Sequence, residues 1–344
     1  MDRASAITCL PIAERDDLRA DALPLAELLA HGAPLVLRGL ARHWPLVTAA
    51  GQGMQAAMAY LQERYAGQPL RYSHAPPQAR GRPFYNADFT RLDFEVQRGR
   101  LEELFERIIA HAPDPAPPTL YLASLPVEQA FPGFRADNDL DFASHGVAVQ
   151  PSIWIGNRVV ASCHHDVPYN IACCAAGRRR FTVFPPGQID NLYPGPLQPT
   201  PGGQVVSVVD FARPDLQRHP RFAEAMRHAR SCVLEPGDAV FIPSLWWHHV
   251  EALEPFNVLV NYWWNAAPAW LPNPTPALYH AMWAIRDRPA AEKQAWRALF
   301  DYYVFGPGER AAAHLPAPAR QLLEPIDEDS ARQLRAWLLS RLNR

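Results

Sequence analysis

Apolar and polar positions change rhythm twice along the chain. In the first third the period is helical: Leu101, Leu104, Phe105, Ile108 and Ile109 recur at three- and four-residue intervals, which predicts an amphipathic helix over Leu101 to Ala110. A second helix is expected around Met54 to Tyr65, and a short β-like run, Pro34 to Leu37, comes before it. The stretch APDPAPP (112–118) breaks the helical pattern and marks a boundary before Leu120-Tyr121-Leu122.

From about Ser152 to Trp264 the rhythm changes to short β-branched and aromatic runs: SIWIG, RVVAS, NIACC, FTVF, VVSVVDF, AVFI and NVLVNYWW. Turn residues separate them, among them Pro185-Pro186-Gly187, Pro201-Gly202-Gly203 and Pro236-Gly237-Asp238. Seven or eight short strands at this spacing predict a mainly β barrel or jelly roll with flanking helices, not alternating βαβ units. After Pro272 helical stripes return: Leu278, Met282 and Ile285; Trp296, Leu299, Phe300 and Tyr303; Leu334, Trp337, Leu338 and Leu342. The expected organisation is an N-terminal α/β segment (1–118) packing on the barrel, the barrel itself (119–268) and a helical C-terminal region (269–344).

Composition narrows the class. A chain of 344 residues with 48% hydrophobic and 20% charged side chains can bury a sizeable core, and its composition suggests neither disorder nor fibrous structure. Thirty-three Lys and Arg against 35 Asp and Glu leave a net charge of −2, with no global attraction to nucleic acid or to an anionic membrane, and neither is expected as a partner. Acidic residues in MDRASAITCLPIAERDD interrupt any run long enough for a signal peptide, and no later stretch approaches a membrane span, so a cytoplasmic location is expected. The five cysteines are odd in number and form no CxxC pair, which suits reduced, buried thiols; Cys173, Cys174 and also His249 read as structural. The 36 prolines, about double average usage, favour loops and strand ends over long helices.

The candidate chemistry lies in two segments. In Cys163-His164-His165-Asp166, side chains two apart on a strand share a face ~6–7 Å apart, so His164 and Asp166 can converge while His165 faces away. Eighty-four residues later (248 − 164), PGDAVFIPSLWWHHV brings His248 after a turn at Pro236-Gly237 and a strand ended by Pro243. Two His and one carboxylate from different strands form a facial triad that suits iron(II) and leaves coordination positions open. The same ligands also accept zinc or manganese, so ligand type alone leaves the metal open. In Arg178-Arg179-Arg180, strand alternation puts Arg179 on the face of Phe181 and Val183 and turns Arg178 and Arg180 to solvent.

The runs HHDVPYNIACCAAGRRRFTVFPPGQIDNLYPGPL, VVDFARPDLQRHPRF and GDAVFIPSLWWHHVEAL, followed by NVLVNYWW, resemble the cupin-like JmjC family of Fe(II)/2-oxoglutarate oxygenases. Within it the chain resembles the asparaginyl hydroxylase that inhibits hypoxia-inducible factor. The resemblance spans about Leu120 to Trp264 and implies a double-stranded β-helix with a helical C-terminal dimerisation region, hence a homodimer. It implies iron(II) on His164, Asp166 and His248, with 2-oxoglutarate as co-substrate. By the same resemblance Tyr121 bonds the co-substrate carboxylate, and Asn170 and Asn261 lie beside metal and co-substrate. Two positions depart from that relative: Arg179 stands where it has the lysine that pairs with the far carboxylate, and Ala161 where it has a threonine. Arginine is a competent replacement, since its planar fork binds carboxylate through two charge-assisted bonds. Ser162 adjoins Ala161 but is expected to face outward. The implied reaction is hydroxylation of a substrate C–H bond, with a polypeptide side chain (Asn, Asp, His or Arg) as substrate. The alternatives are a small metabolite or modified RNA base as substrate, and a metal-binding sensor on the same fold without turnover.

Overall fold

The β-branched and aromatic runs pair into two facing sheets. A computed structural model describes residues 9–343, and the first eight residues of the segment used for the signal-peptide reading lie outside them. The smaller sheet has the strand order Leu10–Pro11, Arg230–Leu234, Arg179–Phe184, Trp247–Ala252, Val160–His165. The larger runs Ala13–Arg15, Leu35–Leu37, Ala239–Ile242, Tyr169–Ala176, Asn257–Trp264, Ser152–Gly156, Thr119–Pro126, Leu70–Ala75, Glu95–Gly99. The architecture is the expected jelly roll, mainly β with flanking helices and a helical C-terminal region. Residues before 118 contribute four strands to the larger sheet.

Period-two alternation sorts the strand residues into layers. Phe181, Val183, Cys232, Leu234 and Val250 of the smaller sheet meet Ala172, Cys174, Val240, Ile242 and Leu259 of the larger one in a core between the sheets. The opposite face of the larger sheet, with Ile153, Ile155, Ile171, Val258, Val260 and Tyr262, is covered by the N-terminal helices. Leu101–Ala110 is one of these helices, and it buries Leu101, Leu104, Phe105 and Ile108, with the Phe105 ring edge-on to Phe256 at 5.6 Å. At its N-terminus the Glu103 carboxylate accepts from the Arg100 backbone N–H at 3.1 Å. The helix over Met54–Arg64 and the strand Leu35–Leu37 fall where expected.

Three details differ from the sequence pattern. Ile109 is 42% exposed, because it sits at the edge of the apolar stripe in the last helical turn. The run VVSVVDF forms no strand and makes only the isolated bridges His164↔Val206 and Pro194↔Ser207. There the Ser207 hydroxyl donates to the Leu192 carbonyl at 2.5 Å and accepts from the Val209 N–H at 3.2 Å, local bonds that compete with a ladder. Arg230–Leu234 supplies a strand in the smaller sheet that the apolar rhythm did not reveal, since Ser231 breaks its short pattern.

Residues 265–344 form a second unit built on the helices Thr275–Ile285, Ala290–Tyr303 and Glu328–Leu342. Asp327 caps the last of these, accepting from the Ser330 N–H at 2.8 Å. Several of the unit's large apolar side chains stand in solvent, Trp283 at 77% and Phe305 at 75%. No described helix is long and apolar enough to cross a membrane.

The helix contact sets a stability contrast. Phe105→Ala leaves a cavity at a fully buried edge-to-face contact and is expected to destabilise the fold by ~3–5 kcal/mol, while Ile109→Ala stays within ~0.5 kcal/mol. Paired denaturant-unfolding midpoints measure both, and equal losses would refute the packing described.

Candidate metal centre and its cavity

The strand that carries His164 and leads into Asp166 contains an extra residue. Against Trp247–Ala252, Val250 pairs with Ala161 and His248 with His164, so three residue steps on one strand face two on the other. A β-bulge of this kind exchanges inward and outward positions along the strand. Ala161 packs inward beside the inter-sheet core; past the bulge Cys163 turns to the outer cluster and His164 turns in. His165 faces away from the cavity with its ring edge-on to Trp247 at 4.7 Å. Asp166 follows the strand end, where its carbonyl accepts from the Leu245 N–H at 2.8 Å and ties the two ligand-bearing segments together.

His164, Asp166 and His248 each offer one donor atom, and these atoms lie within 4.8 Å of one another, close enough to hold one metal ion. His248 Nε2 is 3.7 Å from Asp166 Oδ2, and the two imidazole centroids are 4.3 Å apart. Each ring is oriented by the carbonyl two residues before it: His164 Nδ1 lies 2.7 Å from the Ser162 carbonyl, and His248 Nδ1 lies 3.0 Å from that of Trp246. A carbonyl only accepts, so both rings carry the proton on Nδ1 and turn an Nε2 lone pair to the centre. Burial, reinforced by His164, holds His248 well below the ordinary histidine range, which keeps it neutral and able to ligate.

The triad opens into a cavity of about 390 Å³ that Tyr121, Trp154, Asn170, Arg179, Asn261 and Trp263 also line. Alternation accounts for these six. Leu120 and Leu122 flank Tyr121, Ile153 and Ile155 flank Trp154, and Val260 and Tyr262 flank Asn261, all packed on the opposite face of the sheet. Arg179 is 3% exposed, while Arg178 and Arg180 pair at the surface with Glu254 (2.7 Å) and Glu251 (3.2 Å). Among the described residues Arg179 has no carboxylate within ion-pair distance, and its Nε has no hydrogen-bond partner. Burial pulls its guanidinium below the ordinary value and raises the Tyr121 phenol beside it to about 12, so Tyr121 keeps its proton and remains a donor. Asn261 donates to Asn170 Oδ1 at 2.9 Å, and the Asn261 oxygen and the indole nitrogens of Trp154 and Trp263 are also unpartnered. Unpaired polar atoms concentrated in one cavity fit a polar ligand with an anionic end.

The residues that sequence reading passed over here are Trp154 and Trp263, whose rings meet edge-on at 5.9 Å, with Trp154 stacked on Tyr121. Their place in the alternation was the available signal. Ser162, expected to face outward, is 5% exposed and takes a bond from Arg82 Nε at 2.7 Å, because it sits inside the bulge. His249 is buried against Phe211 at 4.3 Å, and Cys173 and Cys174 are buried in the packed layers, consistent with structural roles.

A family model described as a cupin-like domain matches residues 21–269. HSPB1-associated protein 1 of Homo sapiens is 38% identical over 126 residues, 36% of this chain and 25% of that protein. The tRNA wybutosine-synthesizing protein 5 of Danio rerio is 38% identical over 106 residues, 31% of this chain and 29% of that protein. Lysine-specific demethylase 8 of Xenopus tropicalis is 28% identical over 241 residues, 67% of this chain and 48% of that protein. The chain thus spans between about a quarter and a half of the length of these relatives.

Both candidate ligand histidines are expected to be Nδ1–H tautomers in metal-free protein at neutral pH. Long-range ¹H–¹⁵N correlation of the imidazoles tests this, and an Nε2–H form at either ring would contradict the orientation described.

Proposed function

Because the chain belongs to the cupin-like domain family, with relatives of the JmjC type, we propose that it is an iron(II)- and 2-oxoglutarate-dependent dioxygenase that hydroxylates a C–H bond of a protein side chain. One observation carries this reading: a single cavity joins a His-Asp-His donor cluster to a buried arginine that has no carboxylate of its own. A metal site alone would suit many cupins. The added cation asks for a ligand with a chelating end and a carboxylate at the other end, and 2-oxoglutarate has both.

In this reading His164, Asp166 and His248 hold the iron, and Arg179 with Tyr121 bonds the distal carboxylate. Asn170 and Asn261 present amide groups beside both. Iron and co-substrate, when bound, supply the oxidising chemistry. The chain's own residues orient and enclose. The Arg179 fork fixes the carboxylate through two donors where an ammonium would offer a point charge. Phe181, Val250 and Leu259 give the cavity an apolar wall that keeps water from the reacting centre. The polypeptide substrate, with Asn, Asp, His or Arg as the candidate side chain, rests on the resemblance to the asparaginyl hydroxylase and on the relative named as a lysine-specific demethylase. A modified RNA base is the second reading, favoured by the likeness to a wybutosine-synthesizing protein and opposed by the net charge of −2.

The test is a titration of 2-oxoglutarate into anaerobic, iron-loaded protein, followed by its charge-transfer absorption. A hydrogen bond to a charged group contributes ~1.5–3 kcal/mol, so Arg179→Ala should weaken binding roughly 10- to 150-fold while iron is retained. Asp166→Ala should lose iron more severely than the ~10–100-fold of a supporting residue. Unchanged 2-oxoglutarate affinity in Arg179→Ala sinks the anchor. No conversion to succinate in wild type favours a sensor.

We further propose a homodimer through the C-terminal unit, since exposed Trp283 and Phe305 are more apolar surface than a small helical unit carries in water by itself. Light scattering should give twice the chain mass for wild type and a lower mass for Trp283→Glu. A dimer indifferent to this change, or a monomeric wild type, removes the proposal.

A further inference from the structure

The bulge that turns His164 inward lies on an edge strand. Val160–His165 is the last strand of the smaller sheet, so Trp247–Ala252 pairs with one side of it and other segments must secure its outer side. Two short segments do so. The Val160 N–H donates to the Gly81 carbonyl at 2.7 Å, and the Ser207 N–H donates to the Cys163 carbonyl at 2.7 Å. Gly81 permits that approach: its φ is +79°, and a Cβ there would lie 2.1 Å from the Arg158 carbonyl oxygen. Between these two anchors Ser162, inside the bulge, has no partner in the ladder pairing.

Arg82 reaches that point from a segment eighty residues upstream (162 − 82). Its Nε donates to Ser162 Oγ at 2.7 Å, and its Nη2 donates to the Ser207 carbonyl at 3.1 Å, so one planar group bonds both the bulge and the neighbouring segment. The guanidinium carbon stands 3.5 Å from the centroid of the Phe84 ring. Among the described residues no carboxylate lies within ion-pair distance of Arg82; nearby Asp210 is taken by Arg80 at 2.6 Å. Burial lowers the Arg82 guanidinium to about 10, so it remains charged at neutral pH. A half-buried cation directed at a serine hydroxyl and a carbonyl, and not at an acid, is a poor stability device, since charge burial costs more than such bonds return.

The same Ser162 orients the metal centre, because its carbonyl accepts the His164 Nδ1–H at 2.7 Å. We propose that Arg82 is a positioning residue: its guanidinium locks the bulged Ser162, and the Ser162 carbonyl in turn aims His164 at the metal centre. Without that lock the extra residue can slip along the edge, and a one-residue slip exchanges inward and outward side chains. The inference rests on the metal-centre reading above and adds to it a support drawn from outside the barrel strands.

The experiment is an anaerobic Co(II) titration of the full chain, reading affinity and ligand-field absorption together. Arg82→Met keeps an unbranched stem over Phe84 and removes every donor. It should weaken Co(II) binding ~10–100-fold, the range for loss of a group that orients a ligand, and should shift the ligand-field bands. Ser162→Ala should move both readouts the same way, the double variant should be no worse than Arg82→Met alone, and Arg82→Lys should recover part of the loss. Wild-type affinity and bands in Arg82→Met would overturn the proposal. So would weakened binding with wild-type bands that Arg82→Lys fails to improve, the mark of a purely structural role. If Arg82→Met does not fold, unchanged affinity and bands in both Arg82→Lys and Ser162→Ala overturn it equally. A wild type that binds Co(II) no better than Asp166→Ala overturns the metal-centre reading, and this inference with it; strong wild-type binding with indifferent variants removes the role of Arg82 alone.

Discussion

A positive charge held away from water without a carboxylate beside it is the constraint around which this barrel is organised. Desolvating a guanidinium costs several kcal/mol even after the protein relaxes. Nothing among the described residues neutralises Arg179. The fold tolerates that cost because the strand Arg179–Phe184 is anchored on both sides, by Arg230–Leu234 and Trp247–Ala252, so Arg179 cannot turn out without taking Phe181 and Val183 with it. The packing of two apolar residues on one face thus holds a charge in an apolar interior. In the proposed reading the carboxylate of a bound co-substrate would supply the compensation, which would link the stability of the barrel to the ligand it accepts.

The second constraint is local. Regular alternation would put Ala161 and His164 on opposite faces, yet both serve the same interior, and the additional residue between them reconciles this. A bulge is easiest to accommodate at a sheet edge, where one side is free of a continuous ladder. The freedom that admits the bulge also leaves it unsupported. The contacts to Gly81, Arg82 and Ser207 supply the missing side, so residues far from the triad in sequence share in its geometry.

Much of this was legible in the sequence because it rests on short-range periodicity. The alternation of Arg178, Arg179 and Arg180 sorts two surface ion pairs from one interior charge, as the contacts with Glu254 and Glu251 bear out. The helical stripe at Leu101–Ala110 and the turn-bounded strands are likewise properties of neighbouring residues. The His-x-Asp spacing marks two ligand candidates on one face, although Asp166 lies just past the strand end and is held there by the Leu245 N–H. Trp154 and Trp263 belonged to the same pattern, since their flanking apolar residues point to the opposite face.

What alternation did not reach is whatever depends on which strand lies beside which. The run VVSVVDF has the composition of a strand, but it passes along a bulged edge and spends its serine on local bonds, while Arg230–Leu234 takes a place in the sheet on weaker credentials. Ser162 reads as outward by parity and is buried, because parity changes wherever a strand gains a residue. By itself the sequence determined the faces, the ligand types and the charge to be buried, all set by side chains a few residues apart. Only the tertiary structure decided the bulge, the distance from His248 to Asp166 and the reach of Arg82 to Ser162, since these arise from the register between segments that lie far apart along the chain.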